Sequence, residues 1–329
     1  MISPERDWYR LSLLSLALLP AAALFYAVVA LRRAARRRGW LPSGDAGAPV
    51  IVVGNITVGG TGKTPLVIWL ARFLRDQGWR PGIVSRGHGG DGTMREVAAD
   101  TDPRAAGDEP VLLARRAGCP VWVGRDRLAT ARALRARHPA CNVLISDDGL
   151  QHYRLGRDIE IAVVDGQRGL GNRLMLPAGP LREPASRLGE VDAVVVNGDG
   201  PANVRNALLM TLEASALRNL RDPALAREAG EFRGQRLHAV AGIGNPGRFF
   251  SALRHLGLQF EAHAFPDHHP FEEADLDFAG AQAVLMTEKD AIKCRRFARE
   301  NWWMLPVEAR VPPQLGQLVL DKLKAAHGS

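Results

Sequence analysis

The chain is poor in cysteine. Cys119, Cys141 and Cys294 lie far apart and form no C-x-x-C pair, which excludes a clustered zinc finger and a disulfide framework and fits reduced thiols in a cytoplasmic protein. A long low-complexity or disordered stretch is missing, and so is a repeat of fixed period, which sets aside tails and solenoids. Over 329 positions, with 46% hydrophobic residues, the chain can build two α/β domains, or one large domain with additions. Acids are outnumbered, 35 against 43 lysines and arginines, leaving a net charge of +8. Such a balance can serve nucleic acid, an anionic membrane or an acidic substrate. Position decides: Arg32, Arg33, Arg36, Arg37 and Arg38 directly follow an apolar run, which favours a membrane and argues against nucleic acid.

Charge is also absent from Leu11 to Leu31. As a helix that run would be about 31 Å long, close to the roughly 30 Å of a bilayer core. Trp8, Tyr9 and Arg10 before it suit an interfacial girdle. The preceding flank is balanced, with Arg6 and Arg10 against Glu5 and Asp7, while the following flank is basic. The positive-inside rule then places the rest of the chain in the cytoplasm, and the arginines attract anionic lipid headgroups at about 1 kcal/mol each. The expectation is an anchor at residues 1–38 crossing the inner membrane. The alternatives are a helix lying in the interface and a signal peptide cleaved near Ala21–Ala23, past which the apolar run continues.

Residues 50–53 are an apolar β-branched run, as in a buried parallel strand. Gly59-Gly60-Thr61-Gly62-Lys63-Thr64 follows, and Pro65 opens an amphipathic stretch to Leu74. Strand, glycine turn and helix in this order make a phosphate-binding loop. The glycines let amides face phosphate oxygens, Lys63 reaches the β- and γ-phosphates, and the Thr64 hydroxyl suits Mg²⁺. Thr57 stands where the general motif has glycine. A second buried-strand pattern, Cys141 to Ser146, ends in Asp147-Asp148, at the sheet end where open α/β folds bind ligands; a Mg²⁺ role fits. Asp108-Glu109 precede a helical stretch and read equally as acids at a helix N-terminus. Ser85-Arg86-Gly87 closes another strand, and Arg125 and Arg127 follow a further one.

Together these pieces resemble the tetraacyldisaccharide 4′-kinase family of lipid A biosynthesis. The resemblance runs along nearly the whole chain: the apolar N-terminus, residues 53–65, Ser85-Arg-Gly87, Gly107-Asp-Glu109, Asp147-Asp-Gly-Leu-Gln-His152, residues 176–184, Phe265-Pro-Asp-His-His269 and Met286-Thr-Glu-Lys-Asp290. Thr57 belongs to this family's form of the loop. The resemblance implies ATP and Mg²⁺, a glycolipid acceptor held in the membrane, and phosphorylation of its 4′-hydroxyl to give lipid IVA. It implies nucleotide contacts by Thr57, Gly59, Gly60, Thr61, Gly62, Lys63 and Thr64, and Asp108 as general base, assisted by His268 or His269, with His268 favoured. Thr64, Glu109, Asp147 and Asp148 are implied near Mg²⁺, and Arg127 and Glu183 near substrate. His88 stands where the family usually has tyrosine. No obligate protein partner is implied.

The expected fold is α/β: a P-loop NTPase-type parallel sheet over residues 39–200, a smaller α/β domain over 201–329, and an N-terminal membrane helix. Two rivals share some of the motifs. Gly242-Ile-Gly244-Asn-Pro-Gly247 follows a strand, with Glu261 downstream, as in a dinucleotide site, but Asn245-Pro246 puts a rigid turn where a pyrophosphate must approach. A P-loop ATPase switch would have lysine before the glycine pair, where this chain has Val58.

Overall fold

The computed structural model describes residues 8–200, 202 and 204–327. Two helices open it, α1 (Leu13–Ala17) and α2 (Leu19–Arg37). There follow β1 (Val50–Gly54), α3 (Lys63–Asp76), β2 (Pro81–Ser85), β3 (Arg95–Val97), α4 (Pro103–Ala106), α5 (Asp108–Arg116), β4 (Val121–Val123), α6 (Arg127–Arg137), β5 (Val143–Asp147), β6 (Ile159–Asp165), β7 (Ala193–Asn197) and β8 (Leu208–Ala214). After β9 (Leu217–Asn219) and β10 (Ala226–Arg227) come β11 (Leu237–Ala241), α7 (Pro246–His255), β12 (Glu261–Ala264), β13 (Ala283–Thr287), α8 (Glu288–Cys294), β14 (Trp302–Leu305), β15 (Val307–Arg310) and α9 (Pro313–His327).

The strands form a nine-stranded sheet, β15-β8-β7-β6-β1-β5-β2-β4-β3, and a six-stranded sheet, β10-β9-β14-β13-β11-β12. The central strands of the large sheet are parallel, and β1, β2, β5 and β7 are buried at every position. Burial on both faces explains why β1 and β7 read as continuous β-branched runs rather than alternating ones. α3 packs Leu66, Val67, Leu70, Ala71 and Leu74 into one core with Ile51, Val53 and Ile145.

The chain passes between the sheets twice, from β8 to β9 and from β14 to β15. β8 and β15 are antiparallel neighbours at one edge of the large sheet. After the second passage, α9 buries Leu315, Val319 and Leu323 in the same core as α3. The smaller sheet has cores of its own, built around Phe250, Leu253, Leu285 and Trp303 on one face and Val240, Met286 and Trp302 on the other. Trp302 and Trp303 are thus packing residues of β14.

The N-terminal expectation is corrected. Among the described residues no helix is long and apolar enough to cross a membrane. The apolar run is divided at Leu18. Ser12 and Ser15 cap α1 reciprocally, and α2 starts beyond the division with Pro20 in its first turn. Only Leu19–Leu31 of α2 precede its arginines, about 20 Å of helix, well short of a bilayer core of roughly 30 Å. The helix lies on the body instead: Leu18, Ala22, Phe25 and Val29 pack against a core that includes Met175, Ala178 and Leu181. Leu24, Val28 and Leu31 face outward, 68%, 55% and 70% exposed. Arg33 and Arg37 both pair with Glu190, and Arg36 donates to the Pro42 carbonyl, so part of the basic cluster ties the helix down. The flank Glu5–Asp7 lies outside the described residues.

Candidate active site

The C-terminal ends of β1, β5 and β7 open into a cleft of approximately 2150 Å³. Between β1 and α3 the chain turns through Asn55–Gly62. Asn55 Nδ2 donates to the Gly59 carbonyl at 3.2 Å, and its Oδ1 accepts from Lys63 Nζ at 3.1 Å. Gly59 and Gly62 have φ of +97° and +90°, a region glycine enters at no steric cost. A Cβ on Gly62 would meet Asn197 Nδ2 at 2.1 Å, and that amide donates to the Thr61 carbonyl at 3.0 Å. Thr57 instead pairs in extended form with Leu181, while Val58 N–H donates to the Pro180 carbonyl at 2.8 Å. It is not among the positive-φ residues, so the position tolerates a side chain. Gly59, Gly60, Thr61, Gly62, Lys63 and Thr64 all line the cleft.

Parallel pairing of β1 with β5, Val53 opposite Asp147, brings Asp147 and Asp148 beside the loop. Asp148 has φ +48°, a local strain of the kind found at functional sites. Its carboxylate meets Lys63 Nζ at 3.3 Å and Arg182 Nη1 at 3.2 Å. Burial alone would raise its pKa, but these two cations outweigh burial and hold it well below the usual range. Asp147 goes the other way, pushed up to about 6 by burial and then by Glu109 and Asp148. Ser85 Oγ donates to it at 3.0 Å. The carboxylates of Glu109, Asp147 and Asp148 and the Thr64 hydroxyl all line the cleft and are oxygen donors suited to a hard cation such as Mg²⁺.

Across the cleft, Asp108 starts α5 and is buried. His268 approaches it from the loop after β12, with Nδ1 at 3.1 and 3.2 Å from its two oxygens. The backbone of His268 has φ +60°. His269 points elsewhere: Nε2 lies 2.9 Å from Asp275, and the ring packs on Phe265 and Phe271. Of the doublet, only His268 meets Asp108. Burial acts to raise Asp108, but His268 and Lys289 overcome it and lower its pKa. The Asp108 bond raises that of His268. The His88 ring sits edge-on to His268 with centroids 5.0 Å apart.

Lys289, from α8, was invisible as a charge partner in the sequence. Its ammonium lies 3.1 Å from Glu109, 3.3 Å from Asp267, 3.4 Å from His268 Nε2 and 3.9 Å from Asp108. Burial would discharge it, but Glu109, Asp108 and Asp267 outweigh burial and keep it firmly protonated. The Met286-Thr-Glu-Lys-Asp290 segment carries part of the family resemblance, but the partners of Lys289 are too distant in sequence for spacing to reveal.

Arg127 and Glu183 line the cleft but are committed to the protein. Arg127 Nη2 donates to the Asp147 carbonyl at 2.8 Å and Nη1 to Gly124 at 3.3 Å; burial lowers its pKa to about 10. Glu183 is buried and accepts from Gln151 and Tyr153, each at 2.7 Å, with Arg187 at 3.2 Å. The Tyr153 ring stacks under Arg32 of α2 at 5.7 Å. This links the carboxylate to the end of the cleft lined by Phe25, Val28 and Val29. Arg86 also lines the cleft.

The Gly242–Gly247 turn packs on the phosphate-binding loop. A Cβ on Gly244 would lie 2.9 Å from Gly60 N, and Arg248 bridges to Asp165 and the Asn197 carbonyl. The space a dinucleotide's pyrophosphate would need is filled by the neighbouring loop.

Comparison with known proteins agrees with this geometry. Residues 14–324 match the family model described as tetraacyldisaccharide-1-P 4′-kinase. Tetraacyldisaccharide 4′-kinases of Methylobacillus flagellatus and Nitrosococcus oceani are each 53% identical, covering 97% and 98% of this chain and 95% and 94% of their own. The crystal structure of LpxK from Aquifex aeolicus in complex with ATP superposes with a TM-score of 0.79 at 29% identity, over 94% of this chain and all of that one. A match of this length, over a cleft that opposes a phosphate loop to a buried acid, places the chain in the tetraacyldisaccharide 4′-kinase family.

Proposed function

We infer that the protein transfers the γ-phosphate of ATP to the 4′-hydroxyl of tetraacyldisaccharide 1-phosphate, giving lipid IVA in lipid A biosynthesis. The observation that carries this is the buried Asp108, bonded to His268, which lines the same cleft as Lys63 and Glu109. Hydrolysis of nucleotide by water has no need of such a pair, whereas a sugar hydroxyl, a poor nucleophile, needs a base within hydrogen-bond reach.

Asp108 accepts the hydroxyl proton as the new P–O bond forms. His268 orients the carboxylate and shares its charge, and Lys289 fixes both relative to Glu109. The amides of the 59–62 turn and Lys63 neutralise charge spreading over the transferred phosphoryl group. Thr64, Glu109, Asp147 and Asp148 would hold Mg²⁺, which when bound supplies charge neutralisation on the phosphates. Ordered by Gln151, Tyr153 and Arg187, Glu183 shapes the end of the cleft toward α2, and Arg127 sets the backbone of Asp147.

The outward apolar face of α1 and α2, with its arginines, suits a helix pair lying among lipid headgroups on the cytoplasmic side of the inner membrane. Extracting a four-chain acceptor from a bilayer costs about 0.8 kcal/mol per CH₂; an enzyme docked at the surface avoids that.

The test is transfer of labelled γ-phosphate to the disaccharide 1-phosphate in detergent or vesicles. Label appearing only as free phosphate would instead favour an ATPase. Asp108→Ala is expected to abolish transfer while nucleotide affinity, measured by titration calorimetry, stays within a few-fold. Near-normal turnover by this variant would remove Asp108 from its role.

A further inference from the structure

Glu261, read in the sequence against a dinucleotide site, belongs to a different cluster. β12 is the edge strand of the smaller sheet, four residues long and largely exposed. Parallel pairing sets His238 opposite Glu261 and Val240 opposite His263. Because side chains alternate along a strand, Glu261 and His263 share a face, and His238 lies beside them. His238 Nδ1 is 3.0 Å from His263 Nε2, and the Glu261 carboxylate is 3.8 Å from each. Two ligands of one tetrahedral zinc ion stand roughly 3.3 Å apart, given bonds of about 2.0–2.1 Å, so all three spacings bracket that value. The rings are held in place by Phe278, stacked on His238 at 4.5 Å and on His263 at 4.1 Å. None of the three residues lines the active-site cleft.

We propose that His238, Glu261 and His263 form a binding site for a divalent transition metal of the zinc type, joining the edge strand β12 to β11. Two imidazoles and a carboxylate suit zinc, nickel or cobalt rather than magnesium. Glu261 is solvent-facing, which leaves a fourth position for water. His238 Nε2 is buried without a hydrogen-bond partner. The outer hydrogen bond that usually tightens a histidine ligand is therefore missing, and the affinity is modest. The consequence reaches the active site through the chain: β12 runs directly into Phe265–His268, so clamping its four-residue ladder steadies the segment that carries His268.

Chelator-stripped full-length protein, with excess Mg²⁺ occupying the carboxylate cleft, is titrated with zinc sulfate by calorimetry and with cobalt by visible absorption. The expected result is a saturable site in the wild type that weakens on the order of tenfold or more in Glu261→Gln and in His263→Ala. Zinc should raise the Tm of the wild type more than that of either variant. Glu261→Gln keeps the packing intact, so its result does not depend on folding. No zinc uptake by the wild type, or equal uptake by wild type and both variants, overturns the site and leaves a hydrogen-bonded histidine pair.

Discussion

At the scale of single residues, Lys289 and Asp147 are two cleft side chains whose behaviour departs from what their types suggest. Lys289 stays charged while buried because Glu109, Asp108 and Asp267 surround it. Its removal takes a depressing influence off both Asp108 and His268. Each of these pKa values then rises, so the acid limb of the kcat profile moves to higher pH in Lys289→Met, together with a fall in kcat on the order of tenfold and little change in ATP affinity. A purely structural lysine would lower activity without moving that limb. Asp147 has its folded pKa raised to about 6, above the ordinary 3.8. Between these values the folded state binds more protons than the unfolded one, so stability falls as pH rises through the window and stays lowered above it. Asp147→Asn, which keeps an oxygen for Ser85, should therefore stabilise the Mg²⁺-free protein at pH 8 by on the order of 1–3 kcal/mol. The gain should shrink toward pH 4, read as Tm in chelator, while turnover is lost. An unchanged Tm at pH 8 would mean that the carboxylates do not repel as inferred.

Among the elements, β1 and the phosphate loop were legible because burial on both faces leaves an unbroken β-branched run, and because glycine is needed where φ is positive. The pairing of His268 with Asp108 was only half legible: spacing cannot say which of two adjacent histidines turns inward, and it took Phe265 and Phe271 to pull His269 away. The N-terminal helices were misread for a physical reason. Counting apolar residues ignores direction, and Leu18, Ala22, Phe25 and Val29 are spent on the protein's own core. What remains outward is a face, not a cylinder. Leu24→Asp combined with Leu31→Asp should therefore release the protein from anionic vesicles in a flotation assay, with Tm changed by no more than a degree or two, because both side chains are exposed. A large loss of Tm would show that this face is internal.

On the scale of the whole molecule, chemistry requires the two sheets to stay in contact. Asp108 and Glu109 come from the large one, His268 and Lys289 from the small one, and a further contact is the Gly244–Gly60 approach, beside the Arg248–Asp165 pair. Gly244→Ala inserts a methyl 2.9 Å from a backbone nitrogen, which neither loop can yield cheaply. The sheets should be held apart there, with kcat falling and ATP affinity weakening together, while a thermal scan shows both sheets still folded. Unaltered kinetics in this variant would mean that the approach is incidental.

The double crossing has an outcome for biosynthesis. The nucleotide-binding core takes Leu315, Val319 and Leu323 from α9, so the first half of the chain to leave the ribosome cannot seal its own interior. It must wait, partly open, while the other sheet is translated. Messages cut short before residue 313 should thus yield protein that clumps or is degraded, even though every phosphate-gripping residue has already been made.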